Sequence, residues 1–190
     1  MISLKEFEEE IRERENLLRH ILIHKRDYEF LRSPESERLI RLFSSAPLFI
    51  RSRDAIFKIL CIEVHILFSD LKTDKLKLTQ LLEKIKDCRE KAEWKDKLSK
   101  SDIKSIAKLI NEGLENDVIK DLRRYRNKYL AHVDIDRIDI TFFVTHFYRL
   151  IEIALEIVNL LRYKILEEQF SLEIYLPAED FASIKNWATV

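Results

Sequence analysis

Apolar residues recur along this chain at spacings of three and four, the period of a helix that turns one face to a core. Leu4, Phe7, Ile11, Leu18, Leu22 and Phe30 keep that spacing and predict a first helix over residues 4–31. Ser3 followed by Glu6 starts it as a capping box, each side chain satisfying a free amide of the first turn. Ser33 and Pro34 end it, and a short helix fits residues 35–43. A second long helix is expected from Pro47, where a missing N–H costs nothing, to about residue 71. It is apolar on most sides and is expected to be the central buried element. Thr79 is placed to cap a helix reaching residue 94. Ser99 with Asp102 forms another capping box, and that helix is expected to stop at Gly113, the one residue free to take a left-handed cap. A helix over 115–131, a break at 133–138 and a helix of roughly 28 residues over 139–167 complete the pattern. The tail FSLEIYLPAEDFASIKNW is expected to hold a short extended piece and then a helix begun at Pro177. With no repeat and no long linker, one all-helical domain over 1–190 is expected, residues 170–190 forming a candidate C-terminal appendage.

Composition strengthens the all-α expectation. One glycine and three prolines in 190 residues leave too few turn formers for hairpins, while 36% charged residues suit amphipathic helices. The acidic start MISLKEFEEE does not fit a secretory or transit signal. The apolar stretches AIFKILCIEVHILF and IEIALEIVNLL are broken by Lys58, Glu63, Glu152 and Glu156, so no bilayer span is expected. Cys61 and Cys88, 27 positions apart within helical patterns, suggest neither a disulfide framework nor a metal knuckle. A cytoplasmic location without a membrane partner follows as the expectation.

Net charge is zero, which argues against indiscriminate binding of nucleic acid by the whole molecule. The distribution is lopsided, however. Residues 72–108 carry 12 Lys/Arg against 7 Asp/Glu, a surplus that solvated helix faces account for. Residues 120–128 are denser, with five positive side chains against one negative.

On a helical wheel of residues 118–132, Val118, Leu122, Tyr125 and Tyr129 fall within about 60° and form the buried stripe. Arg126 lies about 80° to one side of Val118 and His132 about 40° to the other, so both border the apolar face. Six helical residues span about 9 Å, too far for direct contact between them but suited to gripping one phosphodiester. Arg123, with Arg124 and Lys128, can extend the hold on phosphate. The bland alternative is an arginine stem laid on the core and a histidine capping carbonyls.

The string Arg126-Asn127-Lys128-Tyr129-Leu130-Ala131-His132 resembles the motif of the HEPN superfamily: arginine, a polar residue, then histidine four to six positions after the arginine. RNKYLAHVD, with ILFSDLKTD and LKLTQLLEKIK upstream, is similar to the abortive-infection branch of that superfamily. The resemblance spans roughly residues 57–160 and implies a HEPN-like helical bundle with long antiparallel helices, paired as a homodimer around a shared cleft. It further implies a metal-independent endoribonuclease of a phage-defence or toxin–antitoxin system, with RNA as substrate and an antitoxin or regulatory protein as a further partner. Catalytic positions map to Arg126 and His132, and the polar position to Asn127, which the wheel nevertheless points away from Arg126. Asp134 occupies the place where one toxin group carries a modifiable tyrosine, so that form of regulation is not expected here. Asp134 is either an orienting partner for His132 or a surface aspartate in a turn. The alternative is a non-catalytic HEPN module that binds RNA or nucleotide, or serves as a protein-interaction subunit.

Other chemistry is thinly represented. His20 and His24 have the i,i+4 spacing of a zinc pair but no third ligand nearby in sequence, so neither metal nor cofactor is expected. His65 and His146 lie within apolar helices and are expected to be core histidines with hydrogen-bond partners. A lone glycine rules out a Gly-rich phosphate loop, and no serine or cysteine sits in a nucleophile motif.

Overall fold

A computed structural model describes residues 3–33, 37–88, 94, 96–131 and 145–168, with residues 88, 128–131 and 145–146 described by backbone alone. Among the described residues the chain is all-α, without strands. Helices α1 (Leu4–Arg32), α2 (Glu37–Ser45) and α3 (Pro47–Leu67) are followed by α4 (Leu78–Cys88) and α5 (Lys100–Glu115). Then come α6 (Asp117–Ala131), α7 (Thr145–Leu161) and a π-helical turn (Arg162–Leu166).

Both capping boxes form. The Ser3 N–H donates to the Glu6 carboxylate at 2.8 Å while the Glu6 N–H donates to Ser3 Oγ at 3.2 Å. The Ser99 and Asp102 pair repeats this at 2.8 and 3.1 Å. Other boundaries differ from the periodicity. Thr79 lies inside α4 instead of capping it, since the helix already begins at Leu78. Helix α3 ends at Leu67, four residues early, where the Phe68 N–H turns back to the His65 carbonyl at 3.2 Å. Ser69 then accepts the Leu71 N–H on its hydroxyl and starts a tight loop instead of another helical turn. The expected break at 133–138, the start of the last helix and the tail from 170 lie outside the described residues.

The chain forms two compact units: residues 1–18 with 61–170, and residues 19–60 with 171–190. In the second unit Phe43 meets Phe30 and Phe49 at ring-centroid distances of 5.5 and 4.7 Å, beside buried Leu39. In the first, α5 packs against α4, α6 and α7. Phe7 stacks on fully buried Trp94 at 4.4 Å, and α7 buries Phe147, Leu150, Ile151, Ile153, Ala154, Ile157, Val158 and Leu161. The broad apolar face of α7 is therefore spent inside the first unit. The π-turn closes on Glu167, whose left-handed backbone (φ 57°) is held where Lys97 donates to its carboxylate at 3.0 Å.

Two contacts fix the segment between α3 and α4. The first is Arg14 of α1, whose side chain is wholly buried. Its Nη1 donates to the carbonyl and the carboxylate of Glu10 at 2.8 and 2.7 Å. Its Nη2 donates to the carbonyls of Lys75 and Lys77 at 3.0 and 3.3 Å, tying the loop to α1. Lys84 of α4 adds a second cation to Glu10. The other contact corrects an expectation. Helix α5 does not stop at Gly113; it runs on to Glu115, and Asn116 caps it in an extended conformation at φ −66°. Gly113 has an ordinary helical backbone and is buried because the Phe68 ring lies against it. A Cβ there would come within 2.2 Å of Phe68 Cε1. The glycine is required for close packing, not for chain reversal.

Gly113→Ala is expected to destabilise the protein although alanine is the better helix former by about 1 kcal/mol. The methyl group overpacks against a buried ring, at a cost of about 1–3 kcal/mol. Urea denaturation should show the loss, and Phe68→Leu in the same chain should recover part of it. Arg14→Met should cost about 3 kcal/mol or more, because two loop carbonyls lose their donor and Glu10 loses a wholly buried cation.

Candidate functional site

Helix α6 starts where Asn116 accepts the Val118 N–H on its side chain at 3.0 Å, satisfying a first-turn amide. Ile119, Leu122 and Tyr125 are buried and Val118 is half-buried, so the apolar stripe faces the core as its spacing predicts. Arg123, Arg124 and Asn127 are exposed, whereas the Arg126 side chain keeps only 20% of its surface accessible. The arginine at the edge of the stripe is thus the one drawn toward the interior.

Two residues from the end of α3 and the loop after it meet Arg126 there. Asp74 Oδ2 accepts from Arg126 Nη1 at 3.3 Å, and His65 Nδ1 lies 3.5 Å from the same nitrogen. Asp74 is itself well covered, at 12% side-chain exposure, and its N–H is turned back onto the Leu71 carbonyl at 3.2 Å. Four residues earlier Asp70 pairs with Arg123 one helical turn away, at the surface. Two carboxylates of one loop therefore hold two arginines of one helix.

His65 is buried, and burial pulls its pKa from 6.5 down to about 4, helped by the charges of Arg126 and Arg123 and opposed by Asp74. At neutral pH it is an uncharged imidazole. A guanidinium can only donate, so Nδ1 presents its lone pair to Arg126 and the ring proton sits on Nε2.

Beside this cluster an open groove of about 790 Å³ runs along the start of α6. Phe68, Leu114 and Ile119 supply its apolar lining, and Lys120, Arg123 and Arg124 its cations. Asp70, Asp117 and Asp121 line it as well, so its charge is mixed. Lys120 is taken by Asp117 at 2.8 Å and Arg123 by Asp70.

Of the residues singled out in the sequence, the structure brings Arg123, Arg124 and Arg126 onto one helix and places Asn127 in solvent. The side chains of Lys128 and Tyr129, and the whole of His132 and Asp134, lie outside the described residues. Sequence reasoning missed the partners of Arg126. His65 is a core histidine as expected, but its neighbour is the motif arginine. Asp70 and Asp74 stood in the ILFSDLKTD string without an assigned role, and only their spacing of four hinted at a shared direction. His20 and His24 have ring centroids 6.5 Å apart, and no metal-holding group of three His, Cys, Asp or Glu occurs among the described residues. Burial pushes the Cys61 thiol far above its usual range, which rules it out as a nucleophile at neutral pH. No described helix is long and apolar enough to cross a membrane.

His65 makes stability depend on pH with a definite sign. Its folded pKa, about 4, lies below the unfolded value of 6.5, so between these limits only the unfolded chain takes up the proton. Stability should fall as pH drops from 6.5 toward 4, by about 2 kcal/mol from this residue alone. Paired urea titrations at pH 7 and pH 4.5 should show a smaller drop for His65→Gln than for the parent. Equal drops would mean that His65 titrates normally.

Comparison with known proteins follows the same lines. No curated protein and no solved structure gives a match to the chain. The profile of AbiU2, a HEPN-type abortive-infection family, matches residues 5–179, which takes in every described α-helix from the second residue of α1 onward. The all-α fold of the described residues, the RNKYLAH string that begins on α6 and a match over nearly the whole chain agree: the protein belongs to the HEPN-type AbiU2 abortive-infection family.

Proposed function

We propose that this abortive-infection protein is a metal-independent endoribonuclease whose Arg126 and His132 act together on one phosphodiester, in a cleft shared by two copies of the chain. The observation that carries the proposal is the setting of Arg126. It is a largely covered cation restrained at one nitrogen, next to the exposed arginines Arg123 and Arg124 of α6.

The chemistry asks little more of the protein. RNA supplies its own nucleophile, the 2′-hydroxyl, so the site must move a proton and stabilise charge. Histidine, whose reference pKa is about 6.5, can take or give that proton near neutrality, and His132 is assigned that role. Arg126 stays cationic throughout and opposes the charge that grows on the phosphorane oxygens. A homodimer provides two histidines, one as base and one as acid. Arg123, Arg124 and Lys128 would hold flanking phosphates, Arg123 by exchanging Asp70 for the ligand. Release or capture by a regulatory protein partner would act on the same face.

The groove of mixed charge beside α6 favours a second reading, a module that binds RNA or nucleotide without cutting it. Incubating the purified protein with total RNA in EDTA separates the two. Cleavage should persist and leave 2′,3′-cyclic phosphate or its hydrolysed form together with 5′-hydroxyl ends. His132→Ala should slow it about 10²–10⁴-fold. Arg126→Lys, which keeps a cation for Asp74 but loses the guanidinium fork, should cost on the order of 10²–10³. A requirement for added divalent metal, or equal cutting of DNA, would sink the endoribonuclease. Absence of cleavage with RNA binding lost in His132→Ala would establish the binding module.

A further inference from the structure

Arg126 is held on one side only. Both of its contacts, to Asp74 at 3.3 Å and to His65 at 3.5 Å, fall on Nη1. Among the described residues, Nη2 and Nε have no protein partner. A structural arginine–carboxylate pair is commonly bidentate, both forks engaged. Here a single acceptor atom on each neighbour addresses a single nitrogen, which fixes the plane of the guanidinium without consuming its remaining donors.

The loop that brings Asp74 is built to stay put. Its next residue, Lys75, and then Lys77 give their carbonyls to wholly buried Arg14. The Lys77 ammonium reaches back to the Leu71 carbonyl at 3.3 Å, and the Leu71 N–H is bound by the Ser69 hydroxyl at 3.0 Å. A carboxylate offered only as a counter-ion needs no such framework; the neighbouring pair of Asp70 with Arg123, exposed on both sides, has the character of an ordinary surface pair.

We infer that Asp74, backed by His65, is a positioning residue for Arg126, setting the guanidinium so that Nη2 and Nε face an incoming phosphodiester. The inference rests on the endoribonuclease reading for its consequence in rate, but not for its geometry. Arginine has several rotatable bonds, and misplacement of a charge by about 1 Å can cost on the order of 10² in rate.

Three measurements on the full chain test it. The first follows the guanidinium ¹⁵N–¹H signals of Arg126. They should show restricted rotation in the parent, averaging in Asp74→Ala and partial recovery in Asp74→Glu. An Arg126 signal unchanged by Asp74→Ala overturns the inference whether or not the protein cuts RNA.

The second uses a fluorogenic RNA oligonucleotide and its 2′-O-methyl analogue, which cannot be cleaved. Asp74→Ala should slow single-turnover cleavage by about 10²-fold while affinity for the analogue changes less than about threefold. A faster rate in Asp74→Ala would show the carboxylate to be a competitor of the phosphate, and would overturn positioning. The third adds Asp74→Ala to Arg126→Lys, where little further loss is expected because the two act as one unit. Additive losses, or losses matched by the unfolded fraction at assay temperature, reduce Asp74 to a structural role. If the parent cuts no RNA while the restricted Arg126 signal still depends on Asp74, the endoribonuclease reading fails and the positioning contact stands.

Discussion

Everything around Arg126 depends on one short segment, the loop from Phe68 to Lys77, being held at both ends. At one end the Phe68 ring fills the space that Gly113 leaves on α5. At the other, Arg14 gathers two loop carbonyls from inside α1. A buried arginine is costly to desolvate, and the cost is offset only when its donors are used. Four hydrogen bonds from its two terminal nitrogens, one of them to the Glu10 carboxylate, meet most of that condition and leave only the buried Nε without a partner among the described residues. The loop is thereby tied to α1, with Asp74 directly preceding one of the two bound carbonyls.

The pairing of Asp74 with Arg126 is a compromise between stability and availability. A fully buried, bidentate pair would hold the arginine more firmly but leave nothing for a ligand. A fully exposed pair, like Asp70 with Arg123, would leave it free to wander. With 20% and 12% of their side-chain surfaces exposed, Arg126 and Asp74 sit between these limits. The neutral His65 ring helps because it contributes a lone pair without a second negative charge. Two carboxylates at that point would neutralise the arginine more completely and weaken its pull on a phosphate.

The distribution of apolar surface bears on how two copies would meet. Helix α7 buries its apolar residues within its own unit, against α5 among others. Among its described residues, what α6 leaves in solvent is charged and polar: Asp117, Lys120, Arg123, Arg124 and Asn127. An interface that used this face would be polar and wet, and its affinity would depend on ionic strength. Such a surface would also suit RNA, so on the proposed reading pairing and substrate binding would draw on the same residue types.

Local signals in the chain determined a good deal. Period and the scarcity of glycine and proline specify helices, because both are properties of short stretches that need no partner. Capping boxes at Ser3 and Ser99 lie within four residues, and both form as written. The apolar stripe of α6 likewise placed Arg126 at the edge of the core. Whatever depended on a distant neighbour was settled only by the tertiary structure. Gly113 looked like a helix stop because glycine tolerates left-handed backbone, yet Phe68, 45 residues earlier in sequence, makes it a packing residue instead. His65 and Asp74 are 61 and 52 positions from Arg126, and no spacing rule reaches that far. Their meeting follows from α3 ending early at Leu67, with Ser69 starting the loop, and from Arg14 fixing that loop, two events of packing and hydrogen bonding that local pattern does not encode.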